Sequence, residues 1–281
     1  MNRRLTALLA APLLTAVLSS CAALDDVVEQ FGPRPNAAVL ELAQRASADA
    51  DADTASPTAT LRAGHATELF EEVERLCGVD EDGATPPSCD LDAATGEVDA
   101  SAGDDAALDD YLTALPRVPA ESVDLVVSQA VDLAAAPSST ELPDLPAPLE
   151  PVTAADAETL RGLLADEHAA VYALDIAQAY LDDAGDARVA DLIDAHEQRI
   201  TVLTRTLEPT GETPVAAPGY AFDGVTAPTD QAQAGQLVDR IAETTDLTWR
   251  NAAADAGSLA TREWLVRLAG HAAKAAQLHA L

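Results

Sequence analysis

The chain has 281 residues, with 48 acidic and 16 basic side chains and a formal net charge of −32 at pH 7. Because nucleic-acid phosphates require a basic surface, a chain this acidic is not expected to bind nucleic acid. Aromatic residues make up only 3% of the chain, which argues against a β-sandwich or β-barrel. The many Ala, Leu, Glu and Arg residues favour helix, and the length suggests two modest domains. We therefore predict an all-α protein.

The first twenty residues have the pattern of an export signal. Arg3 and Arg4 precede an apolar run at 5–18 that is too short to span a bilayer comfortably. The sequence LSSC at 18–21 resembles a bacterial lipobox, which implies cleavage before Cys21 and acylation of its thiol and new amino group. An ordinary secretory signal with a chance cysteine is the alternative. We expect residues 1–20 to be a lipoprotein signal peptide, and the protein to be lipid-anchored to the outer face of the cytoplasmic membrane.

The two remaining cysteines are Cys77 and Cys89, which enclose a Gly/Pro/Asp-containing loop. An even number of cysteines outside the cytoplasm predicts a disulfide bond between them. A redox or metal pair is the alternative. It is disfavoured because the spacing is not C-x-x-C and no histidine lies nearby in the sequence.

A proline-rich segment at 137–152 divides the rest of the chain. It carries five prolines and no helical periodicity, so it is predicted to be an extended linker. It separates an N-terminal helical domain, 21–136, from a C-terminal domain, 153–281.

The C-terminal domain has apolar residues spaced by three and four over four segments, which predicts four helices. The first helix is predicted to begin at a Thr153 cap and to end near Asp183, and the second to begin near Asp186. The third is predicted to begin at a Thr229 cap, and a break at Gly257-Ser258 precedes the fourth. A Pro/Gly-rich connection at 209–228 joins the second helix to the third. This order is the layout of a four-helix bundle with one crossover, the ferritin-like topology.

The N-terminal half resembles a reduced copy of that layout. Four helices are predicted: from Asn36 to about Ala52, from Ser56-Pro57 to Cys77, from a Ser101-x-x-Asp104 cap to near Pro116, and from Pro119 to about Ala136. The second helices of the two halves align without a gap, LRAGHATEL (61–69) with LIDAHEQRI (192–200), so that His65 pairs with His196. We interpret this as a possible internal duplication; chance similarity of Ala/Leu-rich helices is the alternative. His65 and Glu68 form an i, i+3 pair that could bind metal but is more typical of a helix surface.

Three polar residues interrupt the apolar stripes of the C-terminal helices. They are Glu167, His196 and His271, from the first, second and fourth helices. Burying such a group without a hydrogen-bond partner costs about 2–7 kcal/mol. We therefore expect them to meet inside the bundle.

Several longer motifs strengthen this assignment: LLADEHAAVY at 163–172, A-H-x-x-R at 195–199 and APGYAF at 217–222. With these motifs, residues 158–281 resemble an actinobacterial family of ferritin-like domains of unknown function that is often found in lipoproteins. The resemblance implies a ferritin-like four-helix bundle in the C-terminal half.

Di-iron members of this fold use a Glu from each of two helices and Glu-x-x-His from the other two. Glu167 fits this pattern, but His196-Glu-Gln-Arg199 and His271-Ala-Ala-Lys274 do not. One carboxylate and two histidines could hold a single divalent metal. However, Arg199 and Lys274 at the replaced ligand positions would repel a cation and pair with acids instead. We therefore predict a buried polar cluster of these five residues and no cofactor; the alternative is one divalent metal ion on Glu167, His196 and His271.

No complete catalytic motif is present: there is no Gly-rich phosphate loop, no G-x-S-x-G and no Cys close to a His. We predict a non-enzymatic binding or scaffolding lipoprotein of the cell envelope, whose partners are the membrane, through its lipid, and an unidentified envelope protein or small ligand. The alternative function is a metal-dependent oxidase or metal store that uses Glu167, His196 and His271.

Overall fold

The computed structural model describes residues 32–52, 54–79, 83–89, 91, 98–135, 138–220 and 227–279. Over these ranges the chain forms α-helices and short 3₁₀ turns and has no β-strand, which confirms the all-α prediction. The α-helices are α1 (Ala37–Ala52), α2 (Pro57–Cys77), α3 (Asp104–Ala114), α4 (Val123–Ala134), α5 (Ala154–Gln178), α6 (Asp183–Leu207), α7 (Gln231–Ala254) and α8 (Leu259–His279).

The four C-terminal helices pack as two hairpins. α5 packs on α6 and α7 packs on α8, and the short connections at 179–182 and 255–258 make the helices of each hairpin antiparallel neighbours. The hairpins meet where α5 contacts α7 and α6 contacts α8. Each helix directs its apolar stripe inward, as its spacing by three and four predicts.

The four N-terminal helices pack as α1 on α2 and α3 on α4, with α1 also contacting α3. The last of them, α4, lies directly against α7 and α8 of the C-terminal half. At one point Gly270 of α8 comes so close to Ala134 that a Cβ atom on residue 270 would lie 2.8 Å from the Ala134 carbonyl carbon. The main apolar cluster therefore runs through both halves, from Val39 and Leu42 to Leu265 and Leu268.

The caps explain where the helices begin. Thr153 caps α5 as predicted, because its hydroxyl accepts from the Asp156 N–H at 3.1 Å. The prediction that Thr229 caps α7 is wrong by one residue, since the Asp230 carboxylate accepts from the Gln233 N–H at 2.9 Å. Similarly, α6 begins at Asp183 rather than near Asp186, because the Asp182 carboxylate accepts from the Gly185 N–H at 2.9 Å.

In the N-terminal half, Ser56 caps α2, with Pro57 in the first turn, as predicted. Ser101 does not cap α3. Its hydroxyl instead donates to the Asp110 carboxylate at 3.0 Å, and Gly103 takes the cap position.

The segment between the halves is extended over its described residues, 138–153, and it is attached to the helices at several points. The Trp264 indole donates to the Ala147 carbonyl at 2.8 Å, and the Leu149 N–H donates to the Thr206 hydroxyl at 3.2 Å. Leu145 and Leu149 pack against the main apolar cluster. None of the described helices combines the length and apolar character needed to cross a membrane.

Candidate functional site

A polar layer lies inside the C-terminal bundle, where each of its four helices contributes at least one side chain. α5 supplies Glu167, α6 supplies His196 and, one turn later, Arg199, α7 supplies Trp249, and α8 supplies His271. These five side chains are at most 2% exposed. The three residues that the sequence predicts to meet inside the bundle thus belong to one cluster.

The polar layer divides the apolar core of the bundle in two. On α5, Leu163 and Leu164 belong to the main apolar cluster, whereas Leu174, two turns beyond Glu167, belongs to a second, smaller cluster. On α6 the order is reversed, as expected for an antiparallel neighbour: Leu192 lies in the smaller cluster and Leu203 in the main one. The layer is therefore surrounded by apolar side chains along the bundle axis.

Glu167 is the centre of the layer, and both of its carboxylate oxygens are hydrogen-bonded. Oε1 accepts from Arg199 Nε at 2.9 Å and from the Trp249 indole N–H at 2.6 Å. Oε2 accepts from His196 Nδ1 at 2.7 Å. A buried carboxylate that has an opposite charge and three donors is well compensated for the loss of water.

Arg199 extends the layer to the fourth helix. Its Nη1 donates to His271 Nδ1 at 3.2 Å. Because a guanidinium can only donate, His271 Nδ1 must carry a lone pair and its proton must lie on Nε2. His196 has the opposite tautomer, since its Nδ1 faces a carboxylate and must donate.

The protonation states follow from burial and from these contacts. Burial by itself would raise the pKa of Glu167, but the charge of Arg199 and the hydrogen bonds of His196 and Arg199 outweigh it and lower the pKa to about 2. Burial and the neighbouring charge of Arg199 lower the pKa of His271 to about 3. Burial also lowers the pKa of His196. At neutral pH the layer therefore holds one carboxylate, one guanidinium and two neutral imidazoles.

This arrangement does not fit a metal ion. Among the residues that the structure describes, no group of three or more His, Cys, Asp or Glu side chains has an arrangement that could hold one. Arg199 donates to Glu167 and to His271, so a fixed positive charge lies between two of the three candidate ligands. The donor chemistry present is that of an ion pair with hydrogen-bonded imidazoles, and it does not match the Glu and Glu-x-x-His ligands of di-iron bundles.

Lys274, the fifth residue of the predicted cluster, is also buried, at 3% exposure, one turn after His271 on α8. Trp249 is not among the residues predicted for the cluster, and its hydrogen bond to Glu167 makes it part of the layer. The sequence contained no signal for this role, since an indole on an apolar stripe looks the same with or without a polar partner.

A second buried polar network lies in the N-terminal half, and the sequence analysis missed most of it. Arg62 of α2 donates to the Asp49 carboxylate at 3.0 and 2.7 Å and to the Tyr111 hydroxyl at 3.1 Å. Tyr111 in turn donates to Gln129 at 2.8 Å, and burial raises the pKa of Tyr111 to about 12. The available signal was Arg62, an arginine within the apolar stripe of its helix.

His65 belongs to this second network and is 3% exposed, so the prediction of a surface position is wrong for His65, whereas Glu68 is exposed. Its Nδ1 lies 3.4 Å from Arg62 Nη1, and its Nε2 lies 3.4 Å from the Asp132 carboxylate. Glu68 instead accepts from the Gln129 amide at 2.8 Å. The side chains of Gln129 and Asp132 on α4 contact this part of α2.

Asp132 also joins the two halves of the molecule. Arg250 of α7 donates to Asp132 at 2.7 Å and to the carbonyl of Ser128 at 2.8 Å, both on α4. Arg250 is held in place by Asp246, one turn earlier on α7, at 2.9 Å. The contact between the halves is therefore charged at this edge and apolar at Ala134 and Gly270.

The cysteines and the crossover complete the set of predicted sites. The structure has a disulfide bond between Cys77 and Cys89, the pair that the sequence predicts. Cys21 lies outside the described residues. The described end of the crossover is fixed to the bundle by Tyr220, whose ring packs on Tyr172 of α5 at a centroid distance of 5.5 Å.

Two surface grooves lie among the described residues. One, of about 790 Å³, lies between the linker, the start of α5 and the end of α6, with Arg161 in its wall. The other, of about 310 Å³, lies beside Asp49 and Arg62. Neither groove is lined by a side chain of the polar layer.

One family model matches within the C-terminal half of the chain. Residues 159–279 match a domain of unknown function (DUF4439). The matched range contains the whole polar layer and leaves out the N-terminal half. A crystal structure of a conserved hypothetical protein from Mycobacterium tuberculosis is similar at 27% identity, over 45% of this chain and 95% of that chain, with a TM-score of 0.40. The search of curated proteins finds no match.

Proposed function

We propose that the protein is a lipid-anchored component of the cell envelope with a binding or scaffolding role and no catalytic one. Its C-terminal domain is a ferritin-like bundle in which an ion pair replaces the di-iron site. The observation that carries this proposal is the occupied carboxylate of Glu167, which accepts from Arg199, His196 and Trp249. A catalytic or metal-binding carboxylate needs a free oxygen and access for its ligand.

Burial supports the same conclusion. The side chains of the polar layer are at most 2% exposed, and the two grooves described above do not reach them. By contrast, most of the described acidic residues are exposed, and a net charge of −32 favours solubility. The surface is thus the part of the molecule that is available to a partner.

The location is tested through Cys21. In cells fed a labelled fatty acid, the wild-type chain incorporates label and sediments with membranes. Cys21→Ser abolishes labelling and releases the protein. As a matched control, the double variant with Cys77→Ser and Cys89→Ser keeps the label, because it removes the other two cysteines only. Membrane retention of Cys21→Ser would contradict the lipid anchor.

The binding role is tested by photo-crosslinking in native membranes. Crosslinkers placed on exposed residues of each half should capture a specific envelope component that an unrelated acidic lipoprotein does not capture. Capture at the level of that control from every position would contradict a binding or scaffolding role.

A further inference from the structure

Three nitrogen atoms of the polar layer have no hydrogen-bond partner among the described residues. They are His196 Nε2, Arg199 Nη2 and His271 Nε2, and all are buried. In the described chain, the only other fully buried side-chain polar atom without a hydrogen-bond partner is Ser88 Oγ, in the N-terminal half. Buried donors and acceptors are rarely left unpaired, so three in one layer point to a ligand.

The hydrogen-bonding character of each atom is fixed by the network. Arg199 Nη2 carries two N–H donors. His271 Nε2 is a donor, because its Nδ1 accepts from Arg199. His196 Nε2 is an acceptor, because its Nδ1 donates to Glu167. The layer therefore offers two donor atoms and one acceptor.

This pattern selects the chemistry of the ligand. A metal cation is repelled by Arg199 and finds a lone pair only on His196. An anion offers no proton to His196 Nε2, and it would place a second negative charge beside Glu167 in an apolar surrounding. A neutral hydroxyl oxygen accepts two hydrogen bonds and donates one, which matches all three atoms. Buried water molecules in proteins typically make about three such bonds.

We propose that the polar layer binds one neutral hydroxyl ligand of water size, a water molecule in the isolated protein. It accepts from Arg199 Nη2 and His271 Nε2 and donates to His196 Nε2. The ligand joins α6 to α8. This inference does not depend on the lipid anchor or on any partner.

The N-terminal half provides an internal control. His65 aligns with His196 in the two second helices, is similarly buried, and also lies beside an arginine, Arg62. Both ring nitrogens of His65 have protein partners, Arg62 and Asp132. No such ligand is expected at His65.

A high-resolution crystal structure of the full-length protein, grown with bromide in place of chloride, is the direct test. The expected result is one oxygen-sized peak within hydrogen-bonding distance of all three nitrogens, without anomalous signal. An anomalous peak of bromide or of a metal, or no peak at all, would overturn the proposal. The variant His196→Asn should lose the peak, because the Asn amide can still donate to Glu167 but has no counterpart of Nε2. His65→Asn should keep it.

The tautomers give a second test that needs no variant. Two-bond ¹H–¹⁵N correlation spectra of the wild-type chain should show His196 protonated on Nδ1 and His271 on Nε2, both neutral at pH 7. The opposite tautomer at either histidine would remove the donor and acceptor pattern on which the proposal rests.

Discussion

Glu167 is the residue on which the polar layer depends, because it compensates the buried charge of Arg199 and fixes the tautomer of His196. Removing one partner of a buried ion pair leaves the other charge unpaired in an apolar surrounding. Glu167→Gln should therefore lower the free energy of unfolding by about 3 kcal/mol or more, measured by urea denaturation. Glu158→Gln, at a carboxylate that is 84% exposed on the same helix, should change it by no more than about 0.5 kcal/mol. Equal effects would contradict the role of Glu167.

The low pKa of His271 predicts that the folded protein loses stability in acid. His271 stays neutral in the folded protein down to about pH 3, whereas in the unfolded chain it takes up a proton near its ordinary value of 6.5. The unfolded chain therefore binds more protons between these values, and stability falls as the pH falls through them, by about 1.4 kcal/mol per pH unit for this one group. Glu167 acts in the same direction between its ordinary value of 4.5 and about 2.

His271→Gln isolates the histidine contribution from that of the acidic surface. Its unfolding free energy, measured between pH 6.5 and pH 4.5, should depend on pH less steeply than that of the wild type, by about 1.4 kcal/mol per pH unit. Parallel profiles for the two proteins would show that His271 does not remain neutral in the fold.

Gly270 allows the backbones of α8 and α4 to approach closely, and this contact joins the two halves of the molecule. A methyl group at this position would meet the backbone of Ala134, which cannot move aside as a flexible side chain could. Gly270→Ala should lower stability by about 1–3 kcal/mol through overpacking. Gly162→Ala, in α5 with nothing within 4 Å of its Cβ position, should raise stability by about 0.5–1 kcal/mol, because it improves helix propensity. Thermal unfolding of the two variants checks the opposite signs.

Local sequence patterns predict the helices and some of the residues of the polar layer. Spacing by three and four, with Pro and Gly at the breaks, located all eight helices within a few residues. The predicted N-cap of α7 is wrong by one residue, because Thr229 and Asp230 are both suitable N-cap residues. Only the folded backbone selects Asp230. Glu167, His196 and His271 could be predicted as a cluster because each interrupts the apolar stripe of its helix.

The unpredicted contacts involve residues far apart in the sequence. His65 contacts Asp132 of α4 across 67 positions of the chain, and Asp132 meets Arg250 across 118 positions. No helix periodicity carries information on which helices of the two halves touch. For the same reason, the sequence could not show that the linker is fixed to α8 through Trp264.

At the scale of the whole molecule, the apolar core is shared between the halves, since α4 packs on α7 and α8 and a single cluster extends through both. We therefore expect one cooperative unfolding transition. Both tryptophans, Trp249 and Trp264, lie in the C-terminal half, so their fluorescence reports on that half, whereas far-ultraviolet circular dichroism reports on every helix. The two signals should change at the same urea concentration. Separate midpoints would mean that the halves unfold independently.

The central claim is that the polar layer is a closed network around Glu167 with no place for a metal ion. The most direct measurement is the metal content of full-length protein purified without a histidine tag, incubated with iron, manganese or zinc, and then dialysed. We expect retained metal to be far below one ion per chain and to be unchanged by His196→Ala or His271→Ala. About one ion per chain, lost in both variants, would contradict the claim and favour a metal-dependent function.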